Sequence, residues 1–184
     1  MQPGDDVGRL LDAVAFASRA HRHQLRKDNQ TPYVSHVLRV ALIVRQVFDI
    51  ADERVLTAAV LHDTIEDTTT DFDDLQEHFG AEIAGWVALL SKDKRLPEPE
   101  REAAYQDGLA KAPWQVKTCK LADIYDNLTD SAHLDSEQRA KTLKRTLAYL
   151  QSLQGSNLPE NVQRAWDLVS GLRSGLEVSG RGRT

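Results

Sequence analysis

The chain has 184 residues, of which 41% are hydrophobic and 28% charged, and its formal net charge is −5. This length suits one domain with a single core, and the acidic balance argues against a general nucleic-acid binder, which is usually basic. Cys119 is the single cysteine, so no intramolecular disulfide can form and a cytoplasmic setting fits. With neither a signal peptide nor an apolar run of about 18 residues, we expect a protein that is neither exported nor membrane-spanning.

Two helices are predicted at the start of the chain. Apolar side chains recur at helical spacing over residues 5–22, and a polar loop containing Arg26 and Lys27 follows. From Val37 to Val47 apolar residues nearly surround a second helix, which predicts that it is central and buried. His36 lies in the first turn of that helix, where a lone histidine needs partners before it can be considered a ligand.

The third helix, predicted over about residues 53–67, ends in the sequence His62-Asp63-Thr64-Ile65-Glu66-Asp67. Side chains four residues apart share a helix face, so His62 is expected above Glu66 and Asp63 above Asp67. An imidazole with three carboxylates can hold a divalent metal ion and a water molecule beside it. A solvated, acidic helix end would give the same pattern, so this stretch alone leaves both interpretations open.

Further helices follow in the second half of the chain. A charged segment with two prolines at residues 91–101, which includes Lys94, predicts an exposed loop. In the helix that begins at Trp114, Asp123 and Asn127 lie four residues apart on one polar face. The other helical patterns cover residues 72–79, 83–90, 103–112, 136–153 and 159–173.

The sequence therefore predicts an all-α fold with one domain, residues 1–173, built from about eight to ten helices. The tail, residues 174–184, is rich in Gly and Arg and lacks apolar spacing, so we expect it to be disordered. Polar side chains at helix ends or on polar helix faces would supply two imidazoles and two carboxylates. Such a mixed nitrogen and oxygen site suits Mn²⁺, Fe²⁺, Co²⁺ or Zn²⁺ better than a metal that prefers thiolates.

Spaced motifs then follow one another in a fixed order over roughly residues 8–173. They are Ala20-His21, Gln24, Arg26-Lys27, Thr31-Pro32-Tyr33, His36, the run from Ala59 to Thr68, Phe79-Gly80, Lys120-Leu121-Ala122-Asp123 and Asn127-Leu128. In these motifs the chain resembles the HD-domain alarmone hydrolases of the RelA/SpoT superfamily. The likeness is greatest to their small stand-alone members, which include the metazoan SpoT homologs.

The resemblance implies a single HD-domain helical bundle that hydrolyses the 3′-pyrophosphate of ppGpp or pppGpp, with one Mn²⁺ per chain. The products would be GDP or GTP and pyrophosphate. By motif position, the implied metal ligands are His36, His62, Asp63 and Asp123. The other implied site residues are Glu66 and Asp67 at the attacking water, Asn127 at the ribose, Arg26 and Lys27 at the guanosine end, and Lys94 at phosphate.

Two positions depart from the family pattern: Val37 stands where proline is usual, and Thr129 stands where arginine is frequent. The chain has no room for the synthetase domain of the long enzymes, so a hydrolase-only role is expected. The expected partner is a small nucleotide, with no nucleic acid and no membrane, and a homodimer is one option for its assembly. Three other interpretations stay open: an HD-type phosphohydrolase acting on another nucleotide such as NADPH, an inactive alarmone-binding module, and a purely structural helical protein.

Overall fold

The computed structural model of the chain describes residues 3–131, 134–155 and 157–181. In these residues the chain forms ten α-helices and no β-strand, which confirms the predicted all-α fold. The helices are α1 (Pro3–Ala20), α2 (Val34–Leu42), α3 (Glu53–Leu61), α4 (Thr64–Asp67), α5 (Phe72–Phe79), α6 (Ala81–Leu90), α7 (Glu98–Lys111), α8 (Trp114–Thr129), α9 (Ser136–Leu153) and α10 (Glu160–Arg181). A π-helical turn over Ile43–Val47 continues α2. None of the described helices combines the length and apolar character needed to cross a membrane.

Helix α3 lies at the centre of the fold because it is apolar on nearly every side. All seven residues from Val55 to Leu61 are buried, and the helix packs against α1, α2, α6 and α8. A helix of this kind is stable only when other helices enclose it. Truncation of a fully buried leucine such as Leu61 to alanine would cost about 2–5 kcal/mol. The end of α3 is therefore held firmly in place.

The third helix is interrupted at His62 and Asp63, where the sequence predicted one continuous helix. The chain leaves α3 at Leu61 and enters the short helix α4 at Thr64. The Thr64 hydroxyl donates to the Leu61 carbonyl oxygen over 2.7 Å, so a side chain satisfies a carbonyl at the helix end. His62 and Asp63 consequently occupy a tight turn directly after the buried helix.

The segment predicted as an exposed loop over residues 91–101 is shorter than expected. Helix α7 already begins at Glu98, so only residues 91–97 connect it to α6. Pro99 lies in the first turn of α7, where the missing amide proton of proline costs no helical hydrogen bond. Glu98 and Glu100 in the same turn carry negative charge at the positive end of the helix dipole.

The C-terminal end also differs from the expected disordered tail, because α10 continues past residue 173 to Arg181. Leu172 and Leu176 are partly buried and pack against the core. A guanidinium nitrogen of Arg173 lies 3.1 Å from a carboxylate oxygen of Glu177, one helical turn further along. These contacts extend the helix beyond the point where apolar spacing weakens in the sequence. Residues 182–184 lie outside the described residues.

Candidate active site

A cavity of about 230 Å³ opens between the ends of α2, α3 and α4 on one side and α8 and α9 on the other. Most of the site residues predicted from the sequence line it. They are Arg26, Lys27, His36, Asp63, Glu66, Asp123 and Asn127. Segments separated by up to a hundred residues in sequence therefore meet at one place.

The four predicted metal ligands lie close together, and His36, Asp63 and Asp123 among them line this cavity. Ligand atoms of His36, His62 and Asp123 all lie within 4.8 Å of one another, and all three residues are buried. Asp63 Oδ2 lies 3.0 Å from His62 Nε2 and 3.5 Å from His36 Nε2. Asp123 Oδ1 lies 3.3 Å from His36 Nε2 and 3.9 Å from His62 Nε2. Helix α2, the turn that follows α3, and helix α8 thus each bring at least one candidate ligand to a common centre.

Hydrogen bonds on the far side of each ring orient the two imidazoles. His62 Nδ1 lies 2.8 Å from the Ala59 carbonyl oxygen, and His36 Nδ1 lies 2.7 Å from Asp126 Oδ2. Because both partners are acceptors, we assign the proton to Nδ1 in each ring, which leaves a lone pair on Nε2 facing the centre. Outer partners of this kind are typical of metal-ligating histidines.

His62 Nε2 provides a direct test of whether a metal ion fits. This nitrogen is buried and has no hydrogen-bond partner among the described residues. With Nδ1 carrying the proton, Nε2 faces carboxylate oxygens of Asp63 and Asp123, and none of these groups can donate. A buried acceptor without a donor is costly, and a cation between these atoms removes that cost. The donor set fits a divalent metal ion.

The pKa values of the cluster reflect the same concentration of negative charge. Burial alone would lower the pKa of His36, but hydrogen bonds to Asp123, Asp126 and Asp63 outweigh it and raise the pKa to about 11. Burial alone would raise the pKa of Asp123, but Lys120 and the two imidazoles hold it well below its usual range. The centre therefore favours a positive charge, which either protons or a metal ion can supply.

Tyr33 is part of this site, although the sequence analysis assigned it no role. Its hydroxyl donates to Asp63 Oδ2 over 2.6 Å, and its ring lies against His21 and His36. The hydrogen bond fixes the Asp63 carboxylate at the turn between α3 and α4. Tyr33 belongs to the Thr31-Pro32-Tyr33 motif, so its position in that motif was the available signal.

Glu66 enters the cavity, but Asp67 and Lys94 are not among its lining residues. Glu66 Oε2 accepts the Lys92 backbone amide over 3.0 Å, and burial raises the pKa of its carboxyl group. Lys94 Nζ lies 2.8 Å from Asp67 Oδ1 and 2.6 Å from the Glu66 carbonyl oxygen. Glu66 is thus the better placed of the two predicted acidic residues to accept a proton inside the cavity.

Arg26, which also lines the cavity, is held by Asp126 of α8 and by Asp130, which caps that helix. A guanidinium nitrogen lies 2.8 Å from Asp130 Oδ2 and 3.5 Å from Asp126 Oδ2. The guanidinium carbon is 5.9 Å from the centre of the Tyr33 ring. In α8, the Asn127 amide donates to Asp123 Oδ1, one helical turn earlier, over 2.6 Å. Arg26 and Asn127 therefore have defined positions on the cavity wall.

Several lining residues had no predicted role. These are Lys92 after α6, Lys120 in α8, and Arg145 and Tyr149 in α9. Lys120 belongs to a motif found in the sequence, which was a usable signal. Arg145 and Tyr149 reach the cavity only because α9 packs beside α7 and α8, and no local sequence pattern reports that packing.

Together, the fold and the cluster define a class of protein: an all-α domain whose buried histidines and aspartates form a centre for a divalent metal ion. The family described as HD domain matches residues 13–155. A guanosine-3′,5′-bis(diphosphate) 3′-pyrophosphohydrolase, MESH1 of Drosophila melanogaster, is 42% identical over 123 residues, which are 66% of this chain and 69% of the relative. The Homo sapiens MESH1 is 42% identical over 128 residues, which are 69% of this chain and 72% of the relative.

A solved structure is similar over nearly the whole chain. It belongs to a metazoan ortholog of SpoT that hydrolyzes ppGpp, with 33% sequence identity and a TM-score of 0.78, and the match covers 90% of this chain and 95% of that one. The chain belongs to the HD-domain family, within the group that contains the MESH1 and SpoT-related ppGpp hydrolases.

Proposed function

We propose that this protein is a Mn²⁺-dependent guanosine-3′,5′-bis(diphosphate) 3′-pyrophosphohydrolase, which converts ppGpp to GDP and pppGpp to GTP with release of pyrophosphate. One observation carries the proposal: two buried imidazole nitrogens face two carboxylates, next to a cavity that is lined by Arg and Lys side chains. The named activity of the MESH1 relatives supports the substrate.

One metal ion per chain would be held by His36, His62, Asp63 and Asp123. Two imidazoles and two carboxylates form a borderline donor set, which suits Mn²⁺ better than it suits a thiolate-preferring ion. When bound, a divalent ion lowers the pKa of a coordinated water molecule and offsets negative charge on phosphoryl oxygens. Asp126 and the Ala59 carbonyl oxygen would keep both rings turned towards the ion.

Glu66 would act as the general base. In the reaction the water oxygen forms a bond to the phosphorus attached to O3′, and the bond from that phosphorus to O3′ breaks. Water loses a proton, and O3′ gains one as the hydroxyl of GDP. Glu66 suits the first transfer because its carboxylate lies in the cavity and burial favours its proton-bound form. Asp67 follows Glu66 in the chain and pairs with Lys94, and it would help to orient Glu66 and the water molecule.

Cationic and polar residues on the cavity wall would hold the nucleotide. Arg26 can stack its planar guanidinium on a purine, which a lysine cannot do, and Lys27 adds charge at the same end. Asn127 would contact the ribose. Lys94, which lies outside the cavity lining in the segment between α6 and α7, would have to leave Asp67 to reach a phosphate. Because the protein has a net charge of −5, these local cations are needed to attract an anionic nucleotide.

The test is a product analysis with the purified protein, Mn²⁺ and each of three nucleotides. We expect GDP and pyrophosphate from ppGpp, and GTP and pyrophosphate from pppGpp, with little orthophosphate. Orthophosphate as the main product, or guanosine products that still carry a 3′-phosphate, would refute the proposed orientation of the substrate. NADPH is the third nucleotide. If the protein rapidly removes the 2′-phosphate of NADPH and hydrolyses neither alarmone, NADPH becomes the substrate in place of ppGpp.

A further inference from the structure

Two lysines from different parts of the chain place their ammonium groups against the same pair of tyrosine rings. Lys92 Nζ lies 5.2 Å from the ring centres of both Tyr105 and Tyr149. Lys120 Nζ lies 5.3 Å from the first ring centre and 4.9 Å from the second. The two rings meet edge to face, with centres 5.5 Å apart. Both ammonium groups are therefore confined to one small region beside the rings.

Each lysine is held there by its own carboxylate. Lys92 Nζ lies 2.7 Å from Glu102 Oε1, and the Tyr149 hydroxyl donates to the other oxygen of Glu102 over 2.6 Å. Lys120 Nζ lies 2.8 Å from Asp123 Oδ2. The side chains of Lys92 and Lys120 are only 14% and 12% exposed. The two cations are thus fixed and partly desolvated, unlike the mobile lysines of an ordinary surface.

This arrangement brings two positive charges to one pair of rings, with one carboxylate beside each of them. Two ammonium groups that share one pair of rings repel each other, and the repulsion grows as solvent is excluded. The two tyrosine rings and one carboxylate would be enough to hold one lysine, so the fold does not need a second lysine at this place. A pair of fixed like charges is suited to a ligand that carries several negative charges close together.

The position of the pair on the cavity wall indicates which ligand. Lys92, Lys120 and Tyr149 line the same cavity as the metal-site residues. Asp123 directs one oxygen to the two imidazoles and the other to Lys120, so a single carboxylate separates that ammonium group from the proposed metal centre. A phosphoryl group bound at the centre would have its outer oxygens near Lys120, and Lys92 lies beside the same pair of tyrosine rings.

We propose that Lys92 and Lys120 form the subsite for the diphosphate group that is transferred to water, and hold the pyrophosphate before its release. This assignment rests on the proposed function. The carboxylates of Asp63, Glu66 and Asp123 repel a diphosphate, and the two ammonium groups on the same cavity lining offset that repulsion. Lys94 is a different case, since it is 56% exposed and pairs with Asp67 outside the cavity lining.

The experiment measures pyrophosphate binding by calorimetry, with the Mn²⁺-loaded protein and with the metal-free protein. Lys92→Gln and Lys120→Gln remove charge while keeping a polar group that can contact Glu102 or Asp123. We expect each to weaken inorganic pyrophosphate binding about tenfold or more, because each removes a charge-assisted contact. The affinity of the same variants for guanosine 5′-monophosphate, which has no diphosphate, should fall by less than about threefold.

The controls separate this role from a structural one. Lys92→Arg and Lys120→Arg keep the charge and should restore most of the pyrophosphate affinity, whereas a lost packing contact would not be restored by the larger side chain. Lys111→Gln, at the exposed end of α7, should leave pyrophosphate binding unchanged. Melting temperatures and Mn²⁺ occupancy of all variants identify any loss that arises from misfolding.

Two outcomes distinguish the subsite from the proposed function. If the protein does not attack ppGpp but the Gln variants still lose pyrophosphate affinity, the diphosphate subsite stands and the substrate assignment is wrong. If ppGpp is hydrolysed and both Gln variants bind pyrophosphate as tightly as the unchanged protein, the subsite assignment is overturned. Equal loss of guanosine 5′-monophosphate and pyrophosphate binding would also overturn it.

Discussion

Asp126 Oδ2 accepts the Nδ1 proton of His36 over 2.7 Å, and the carboxylate has no exposed surface. The other carboxylate oxygen lies 2.6 Å from Arg39 Nε, and Arg26 approaches to 3.5 Å. Asp126 thus connects a proposed metal ligand with an arginine at the nucleotide end of the cavity. An aspartate buried in this way needs such partners, because an unpaired buried carboxylate is strongly unfavourable.

The contact predicts that Asp126→Asn weakens metal binding without removing a ligand. An amide can turn its NH₂ group towards Nδ1 and so favour the ring form whose lone pair points away from the centre. We expect Mn²⁺ affinity to fall about 10- to 100-fold in a calorimetric titration. Asp130→Asn is the matched control, since Asp130 also pairs with Arg26 but does not touch His36. Equal Mn²⁺ affinity in the Asp126→Asn variant and the unchanged protein would contradict the positioning role.

Removal of a proposed ligand should have a larger effect than removal of its outer partner. His62→Ala and Asp63→Ala each delete one of four candidate donor groups, so we expect loss of about one bound metal ion per chain in elemental analysis. His23→Ala removes an exposed histidine from the α1–α2 connection and should keep full occupancy. If His62→Ala and Asp63→Ala both retain the metal, the ion is bound elsewhere.

Glu66→Gln should separate chemistry from metal binding. The amide keeps the shape of the side chain and can still accept from the Lys92 amide, but it cannot take a proton from water. We expect Mn²⁺ occupancy to persist while turnover of ppGpp falls by about 10²-fold or more. Glu77→Gln, on the exposed face of α5, controls for the loss of one negative charge. Near-normal turnover in Glu66→Gln would remove this residue from the mechanism.

The helices could be predicted from the sequence because their apolar residues recur at the spacing of a helix. The run from Val55 to Leu61 is the clearest example, since its apolar side chains leave few polar faces and every residue proves to be buried. The grouping of His36, His62, Asp63 and Asp123 as metal ligands was implied by the family resemblance and stays a prediction. In the structure, ligand atoms of His36, His62 and Asp123 lie within 4.8 Å of one another, and Asp63 Oδ2 lies 3.0 Å from His62 Nε2.

Other parts of the site depend on packing that no local pattern records. The path of residues 91–97 decides that Lys92 lines the cavity while Lys94 turns to Asp67, although the two lysines are only two positions apart. Aspartate is usually exposed, so Asp126 gave no sign that it is buried behind His36. The tail was expected to be disordered because it is rich in Gly and Arg and lacks apolar spacing, yet Leu176 packs against the core as part of α10.

Away from the site, Asp52 provides a prediction about stability and pH. It caps α3 by accepting the Arg54 backbone amide over 2.9 Å, and the Arg54 guanidinium lies 3.1 Å from its other oxygen and 3.2 Å from Glu82. Burial alone would raise the pKa of Asp52, but the contacts with Arg54 outweigh it and lower the pKa. A lowered folded-state pKa stabilises the protein above the unfolded-state pKa, and the effect is lost as pH falls through the folded-state value.

Asp52→Asn keeps a capping oxygen but removes the charge. We expect the melting temperature to fall by about 2 °C near neutral pH, a small change because the group is partly exposed. The difference from the unchanged protein should shrink below about pH 4 and vanish at lower pH, where both side chains are uncharged. Melting curves recorded from neutral to acidic pH check this. A constant difference at every pH would show that geometry, and not charge, makes the contribution.

Arg26 lines the cavity, and its proposed role is to hold the guanosine end of the nucleotide. Asp130 and Asp126 hold its guanidinium, a planar group that is suited to stacking on a purine. Because this contact is remote from the breaking bond, it contributes similarly to ground state and transition state. Arg26→Ala should therefore raise the KM for ppGpp about tenfold while kcat changes by less than about threefold.

Two further variants make the Arg26 result specific. Arg26→Lys keeps the charge but cannot stack on a purine. If Arg26 contacts the purine, the KM of Arg26→Lys should stay near that of Arg26→Ala. If charge alone matters, the KM should return towards the normal value. Arg22→Ala removes an exposed arginine whose Nε lies 3.0 Å from His23 Nε2, and its kinetics should be unchanged. Steady-state kinetics with ppGpp measure all three. An unchanged KM in Arg26→Ala would place the guanosine base elsewhere in the cavity.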